Sequence, residues 1–536
     1  MTSASGSSRS IFVRAACLAL CGSLVAPPVF AQVAGAQVTP LPSGRAGVDR
    51  GITIQAFAAL VAKSDELVRA QQLEEAIAGQ GSRGANAVYE PFLTTSLGRE
   101  GKLLPTTAEE FFARGGSAGA GGTPLPYESY VSQLRAALGM KSPTGADVEV
   151  SYNLESIVNS LQPKLGASYF SPEYRGSFGF SINQPLMRNA GREITESGIY
   201  IAEREEAIAR ETVRQVMAQR MSEALQTYLF VQRAQERVRW RQRALDFTVQ
   251  LEREIARQTR AGLKSQNELT EARANLALRQ AQLAQAQQDL EEQVNSLQVF
   301  LAANASQLDN PGSSRWFPTD TLDLPVAEFA DSLRMTDMQT AFDRRPETRV
   351  NRLRIEREEL RRTAAKNQTE PELNFRMQYG KDSLLDRPMW LQDYIDRGSR
   401  YHTWGIGVSL RIGLGGDAKK DSEYQTTILR KTQAELSLGA AQQRIANELM
   451  GVKAVLERAL QQARRQSDVV KAQQDLLAVE RKMMSEGQKS LLDILRREID
   501  LCLSSEALAD AVTQVNRTSY IASQANGGLL ARLGLE

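Results

Sequence analysis

The sequence of 536 residues contains three cysteines and a single histidine. Cys17 and Cys21 fall in the first 31 residues, so Cys502 is the only cysteine beyond them. One thiol makes no internal disulfide, and stability must come from packing or assembly. Cys502 sits in an apolar helical pattern with Ile499, Leu501 and Leu503 and reads as a small buried hydrophobe. With His402 alone, neither a three-histidine metal site nor a Ser-His triad can be built within one chain. The glycine-rich run at 115–122, "GGSAGAGG", lacks the Gly-Lys-Ser/Thr of a phosphate loop and reads as a flexible external loop. We therefore expect no enzyme, no cofactor and no metal. The net charge of +2 gives no sign of a nucleic-acid partner. Aromatic residues are 6% of the chain, which suits long helices better than a large globular core.

Long apolar runs are also missing. Beyond residue 31 no stretch reaches the roughly 18 apolar residues of a membrane-spanning helix. Residues 1–31 themselves read as a signal peptide. Arg9 and Arg14 precede the apolar segment 15–31, and Val29 and Ala31 occupy the small-residue positions of a cleavage site. Leu20 before Cys21 argues against lipid attachment there. An exported chain without a spanning helix is periplasmic, secreted or an outer-membrane β-barrel.

What is present is a change of period, made twice. After a linker at 32–50, residues 51–80 repeat apolar positions at helical spacing through Phe57, Leu60, Val61, Ser64, Leu67 and Val68. The period then drops to two, predicting strands at 91–99, 130–140, 147–155 and 175–184, each with one apolar and one polar face. Helical spacing returns over 191–260 and 265–304, a tract free of proline and broken at Gly262. A mixed connector at 305–345 follows. Then come a helix from Pro346, strands at 371–380 and 402–414, a long helix at 417–485, a break at Gly487, a helix at 489–525 and a tail at 528–536. Gly191 and Gly262 are 71 residues apart, and so are Gly416 and Gly487. We read two internal structural repeats, 51–304 and 346–527. In each, two shorter helices together match one long helix and can lie end to end beside it.

The strand-to-helix junction "SINQPLMRNAG" (181–191), the "RRPE" opening of the second repeat (344–347) and the paired turns Gly262-Leu263-Lys264-Ser265 and Gly487-Gln488-Lys489-Ser490 carry a resemblance. The chain resembles the TolC-type outer-membrane efflux and secretion proteins over nearly all of 51–525. The resemblance implies an α+β membrane protein: a trimeric outer-membrane β-barrel continued by a long periplasmic α-helical barrel. It implies a passive exit duct of a tripartite efflux pump or type I secretion system. The partners would be two further copies, a periplasmic adaptor, an inner-membrane transporter of RND, ABC or MFS type, and outer-membrane lipid. A non-conducting coiled coil spanning the envelope is the alternative, and the alternating strands argue against it.

The resemblance assigns residues as well. The turns would form the periplasmic tip, with Gly262, Lys264, Ser265, Gly487, Lys489 and Ser490 meeting the adaptor. Glu268 and Asp493 would lie at the constricted entrance, where three copies of Asp493 would favour cations. Both acids also suit a plain role at a helix N-terminus. Another entrance acid of the family falls on Arg496. Gln184, Pro185, Gly191, Gly413 and Gly416 would bend the chain from strand to helix. Two departures stand out. The second junction lacks the proline often found there and has Gly413, Gly415 and Gly416 instead. The first repeat has four predicted strands where the family has two, so six strands per chain are expected and about 18 in a trimer, against about 12. The competing arrangement has 130–155 projecting as a hairpin outside the membrane.

Overall fold

Asp65 splits the first apolar helical stretch in two. In the computed structural model, helix α1 (Ile54–Ser64) ends at Asp65, whose carboxylate accepts from the Leu67 and Val68 amides and so caps α2 (Glu66–Asn86). The structure describes residues 48–105, 127–159, 172–301, 314–322, 338–385, 401–414 and 416–535. The expected signal peptide, the glycine-rich run at 115–122, Gly415 and most of the linker and connector lie outside the described residues.

The end of the expected linker is a strand. β1 (Val48–Ile52) pairs in parallel with β6 (Ser314–Pro318) from the connector. A parallel partner more than 260 residues away leaves no local signature. Beyond this pair the sheet begins. β2 (Phe92–Leu104), β3 (Tyr127–Lys141), β4 (Asp147–Asn159), β5 (Glu173–Pro185), β7 (Glu372–Leu385) and β8 (Tyr401–Arg411) form one sheet. Its order is β2-β3-β4-β5-β7-β8, and every neighbouring pair is antiparallel. β3 and β4 are thus interior strands of the sheet rather than a hairpin standing apart from it.

From β5 the chain turns through α3 (Arg192–Thr195) into α4 (Ser197–Arg260), 64 residues and about 100 Å long. α5 (Gln266–Val299) returns along it. After the connector come α6 (Met338–Arg344) and α7 (Pro346–Gln368), then β7 and β8. α8 (Ala418–Ser485, 68 residues) and α9 (Leu491–Ala525) complete the plan. Gly527, with φ 72°, ends α9, and the expected tail contains a helical turn, α10 (Leu529–Arg532), because Leu529 is buried in the main core.

Ion pairs fix how the rods lie. Along α4, Glu75 of α2 meets Arg210 and Asp65 meets Arg220, while Glu252 and Arg237 meet Arg273 and Asp289 of α5. The α1–α2 pair and α5 therefore follow one another along α4. In the same way α7 and α9 follow one another along α8, through Glu359–Lys431 near one end and Glu498–Arg481 near the other. α7 and α9 also pack on α4.

The largest core lies where α1, α4 and α5 meet the β1–β6 pair. It contains Phe57, Val61, Met221, Leu225, Tyr228 and Leu297, all at most 1% exposed. The Tyr228 hydroxyl lies 2.9 Å from the Ile52 carbonyl and 2.8 Å from the Asp320 carboxylate, which also accepts from the Ile54 amide at 2.6 Å. Elsewhere the helices pack through small clusters rich in alanine, such as Leu456, Ala459, Ala463, Ala511 and Val515. Small residues of this kind let long rods approach closely without a thick core.

Candidate functional site

Each long helix ends on a glycine for a defined reason. At Gly262 (φ 76°) the Leu263 amide donates to the Gln258 carbonyl at 2.9 Å and the Gly262 amide to Thr259 at 3.0 Å. At Gly487 (φ 78°) the Gln488 amide donates to Met483 at 2.8 Å and the Gly487 amide to Met484 at 3.0 Å. Both are Schellman caps, in which a left-handed residue closes the last turn. Three residues on, the chain re-enters a helix each time through a capping box. Ser265 accepts from the Glu268 amide while Glu268 accepts from the Ser265 amide, and Ser490 and Asp493 do the same. The repeated motif is therefore a two-part reversal: glycine stops one helix, serine and acid start the next.

The two reversals meet. Leu492 of the second is buried with Ile255, Ala256, Leu269 and Ala272 of the first. Leu263, 76% exposed, lies outside this cluster and presents apolar surface beside Gly262. Lys264 lies 2.8 Å from Glu268. That hydrogen bond, with the Ser265 amide, holds the Glu268 carboxyl below its ordinary range. The Ser490 hydroxyl and amide do the same for Asp493, with Lys489 adding to the field. Exposed Arg496 favours the charged form of both acids. Three cations, Lys264, Lys489 and Arg496, thus surround two acids at this end.

The junction residues divide into two unequal sets. Gly191 has φ 90° and its amide donates to the Thr144 carbonyl at 3.1 Å. Gln184 donates to the same carbonyl at 3.1 Å and accepts from the Thr144 hydroxyl at 2.8 Å. Pro185 is buried and ends β5. At the second junction Gly416 has φ 75° and donates to the Gly413 carbonyl at 3.2 Å, and Leu414 beside it is fully exposed. Asp417 then caps α8.

The sheet has one apolar and one polar face. Leu93, Leu138, Val150, Phe180, Tyr379 and Trp404 form one row across all six strands. Trp404, Ile406, Val408 and Leu410 continue this exposed apolar face along β8. The opposite face carries Arg135 paired with Glu149 at 2.7 Å, Gln133 with Glu155 at 3.1 Å, and Asn153 with Ser177 at 3.2 Å. Arg376 and Arg411 share that polar face by register. His402 lies within β8, opposite Lys381, where the apolar face gives way to charge.

No family profile matches the sequence, and neither does any curated protein. Solved structures do match. The chain is similar to CusC at 15% identity, with 93% of this chain and 99% of that chain covered and a TM-score of 0.59. It is similar to the CmeC outer membrane channel of Campylobacter jejuni at 15% identity, covering 89% and 86%, with a TM-score of 0.54. It is similar to the MtrE outer membrane channel of Neisseria gonorrhoeae at 14% identity, covering 89% of each chain, with a TM-score of 0.55. The fold is the TolC-type outer-membrane efflux protein fold.

Within this TolC-type fold, the helical turns and the first junction are built from more residues than their motifs name. Asn189, the one described non-glycine residue with positive φ (64°), accepts from Gln368, and its amide donates to Asn367. Arg188 donates to the Glu370 carbonyl at 2.9 Å. These contacts tie the first junction to the end of α7, 178 or more residues away, which no local pattern announces. No helix among the described residues is long and apolar enough to cross a membrane.

Proposed function

We propose that the chain is the outer-membrane exit duct of an efflux or secretion assembly, working as a ring of three copies and conducting passively. The single observation that carries this is the six-stranded sheet, apolar on one face and polar on the other, mounted on the end of helices about 100 Å long. Its strand number is even, so β2 and β8, the two edges, run in opposite directions. A β8 edge can pair with the β2 edge of a second copy in the antiparallel sense used throughout the sheet. Every residue of β2 is exposed in the single chain, and an unpaired edge is not tolerated in lipid.

The helices support the same ring. Exposed apolar residues lie on the outer rods, Leu73 and Ile77 on α2 and Leu429 and Leu436 on α8. Each neighbour would cover them. The order sheet, long rod, glycine-serine reversal, shorter rod occurs twice and supports two structural repeats per chain. The paired reversals would face the periplasm and meet an adaptor through Lys264, Ser265, Lys489 and Ser490. Glu268, Asp493 and Arg496 would line the entrance, and an inner-membrane transporter would drive the cargo.

Single-channel recording of the purified protein in a planar bilayer tests this reading. Discrete, long-lived current steps are expected. A protein that inserts as an oligomer and passes no current would sink the duct in favour of a structural strut.

A further inference from the structure

Four of the six strands continue into helices. β2 follows α2, β5 leads to α3 and α4, β7 follows α7 and β8 leads to α8. β3 and β4 have no helix beneath them. They are joined to each other by the tight turn 142–146, in which the Ser142 amide donates to Ala146 at 2.7 Å and the Gly145 amide to Ser142 at 2.9 Å. A strand pair added to a barrel enlarges its circumference, because each strand adds a fixed width. A pair without a helix beneath it also needs something to stand on.

The turn stands on the first junction. The Thr144 carbonyl accepts from both the Gln184 side chain and the Gly191 amide, and the Thr144 hydroxyl donates to Gln184. Gly145 and Ala146 are buried there although the sheet around them is largely open. Gly145 has φ 89°, and a Cβ at this position would lie 2.5 Å from the Asn189 carbonyl oxygen. Only glycine fits so close an approach. Asn189 is in turn held by Asn367 and Gln368, so the contact passes from the β3–β4 tip to the junction and on to the end of α7.

The geometry points to a duct whose exit is wider than the helical bore feeding it, with the β3–β4 tip as the foot that seats the extra strands on the wall. This rests on the duct reading above. Three copies give 18 strands over helices that continue only 12. Barrel diameter grows linearly with strand number, so the exit backbone spans about 35 Å where 12 strands would span about 24 Å. Size selection then belongs to the helices and their entrance, and the barrel admits any species the bore can pass.

Two measurements decide it. First, Thr144→Cys with Gln184→Cys is treated in membranes with dibromobimane, which fluoresces only on bridging two thiols. Bridging is expected, since Cys502, the one cysteine among the described residues, is buried and does not compete. Two reactive but unbridged thiols would overturn the foot. Second, polyethylene glycols of graded size are added to one side of the bilayer at a time. The cut-off size from the barrel side is expected to be about 1.5-fold what a 12-strand barrel of this fold admits. A barrel-side cut-off no larger than 12 strands admit would overturn the wide exit. Absence of any current would remove the duct and the wide exit together, while the bridging result would still decide the foot.

Discussion

Arg345 and Ala525 stand 180 residues apart in the chain, and the Arg345 Nε donates to the Ala525 carbonyl at 2.8 Å. The same guanidinium lies 2.8 Å from Glu448 of α8, and Arg345 is 5% exposed. One side chain therefore joins the start of α7, the end of α9 and the middle of α8. Gly527 lies close by, and a Cβ there would come within 3.0 Å of Arg344. This is what the "RRPE" motif does: Pro346 opens α7 and Arg345 pins the helix ends together.

Arg345→Ala leaves the Ala525 carbonyl without its donor and Glu448 without its partner. The expected loss is about 2–3 kcal/mol, typical of a hydrogen bond to a charged group in a buried place. Arg345→Lys should recover only part, because a single ammonium cannot serve two directions as a planar fork does. Urea unfolding of the full chain checks both. Wild-type stability in Arg345→Ala would refute the role.

Glu268 and Asp493 occupy matching places with unequal surroundings. Glu268 is cancelled at 2.8 Å by Lys264, whereas the first partner of Asp493 is the neutral Ser490 hydroxyl. Asp493→Ala should therefore change conductance or gating more than Glu268→Ala, and shift selectivity toward anions. Single-channel recordings with salt gradients measure this. Equal or reversed effects would refute the assignment.

The two capping boxes should respond to acid in a defined sense. Both carboxyls are held below their ordinary values of 4.5 and 3.8 in the folded chain. A depressed carboxyl contributes stability above its unfolded value, and the contribution is lost as pH falls through the folded one. The reversals should thus keep their structure through mild acid and loosen only below about pH 4. Amide exchange at residues 265–268 and 490–493 across pH reports it. Loosening near pH 6 would contradict the capping arrangement.

Tyr228 should make the core beside the β1–β6 pair sensitive to base. Burial, then the Asp320 carboxylate, pushes its phenol well above its usual 10. A raised acid stays neutral in the fold, so its contribution is full below pH 10 and is lost as pH rises beyond that. Tyr228→Phe removes the hydroxyl between Ile52 and Asp320 and should cost about 1–3 kcal/mol at neutral pH. It should also flatten the alkaline fall in stability. A Phe variant with an unchanged alkaline profile would refute this.

Cys502 should stay silent toward thiol reagents until the protein unfolds. It is 3% exposed, and burial beside Glu498 pushes its thiol up to about 11. Iodoacetamide labelling at pH 8 should track the unfolding curve. Rapid labelling of the native protein would show that the helix pair opens.

Legibility in the sequence followed the distance over which each feature is specified. The reversals could be read because glycine, serine and acid act within six residues of one another. Strand faces could be read because alternation is local. The β1–β6 pair could not, since Ile52 and Pro318 carry no mark of each other. The break at Asp65 was hidden because the apolar period runs straight through it, and only the cap turns the chain. The contact of Thr144 with Gln184 was hidden for the same reason as Arg345 with Ala525: a single polar group specifies a distant partner without a pattern.

The open edges of the sheet carry a consequence for how such a ring is made. A pair of copies seals one seam and still exposes one β2 edge and one β8 edge. The third copy seals two seams in a single event. The last encounter therefore contributes about twice the edge pairing of the first, so two-copy species should be scarce beside free chains and complete rings. In the proposed three-copy ring, assembly is then committed at the third arrival, and a variant that blocks one edge removes every seam and should leave single chains in place of complete rings.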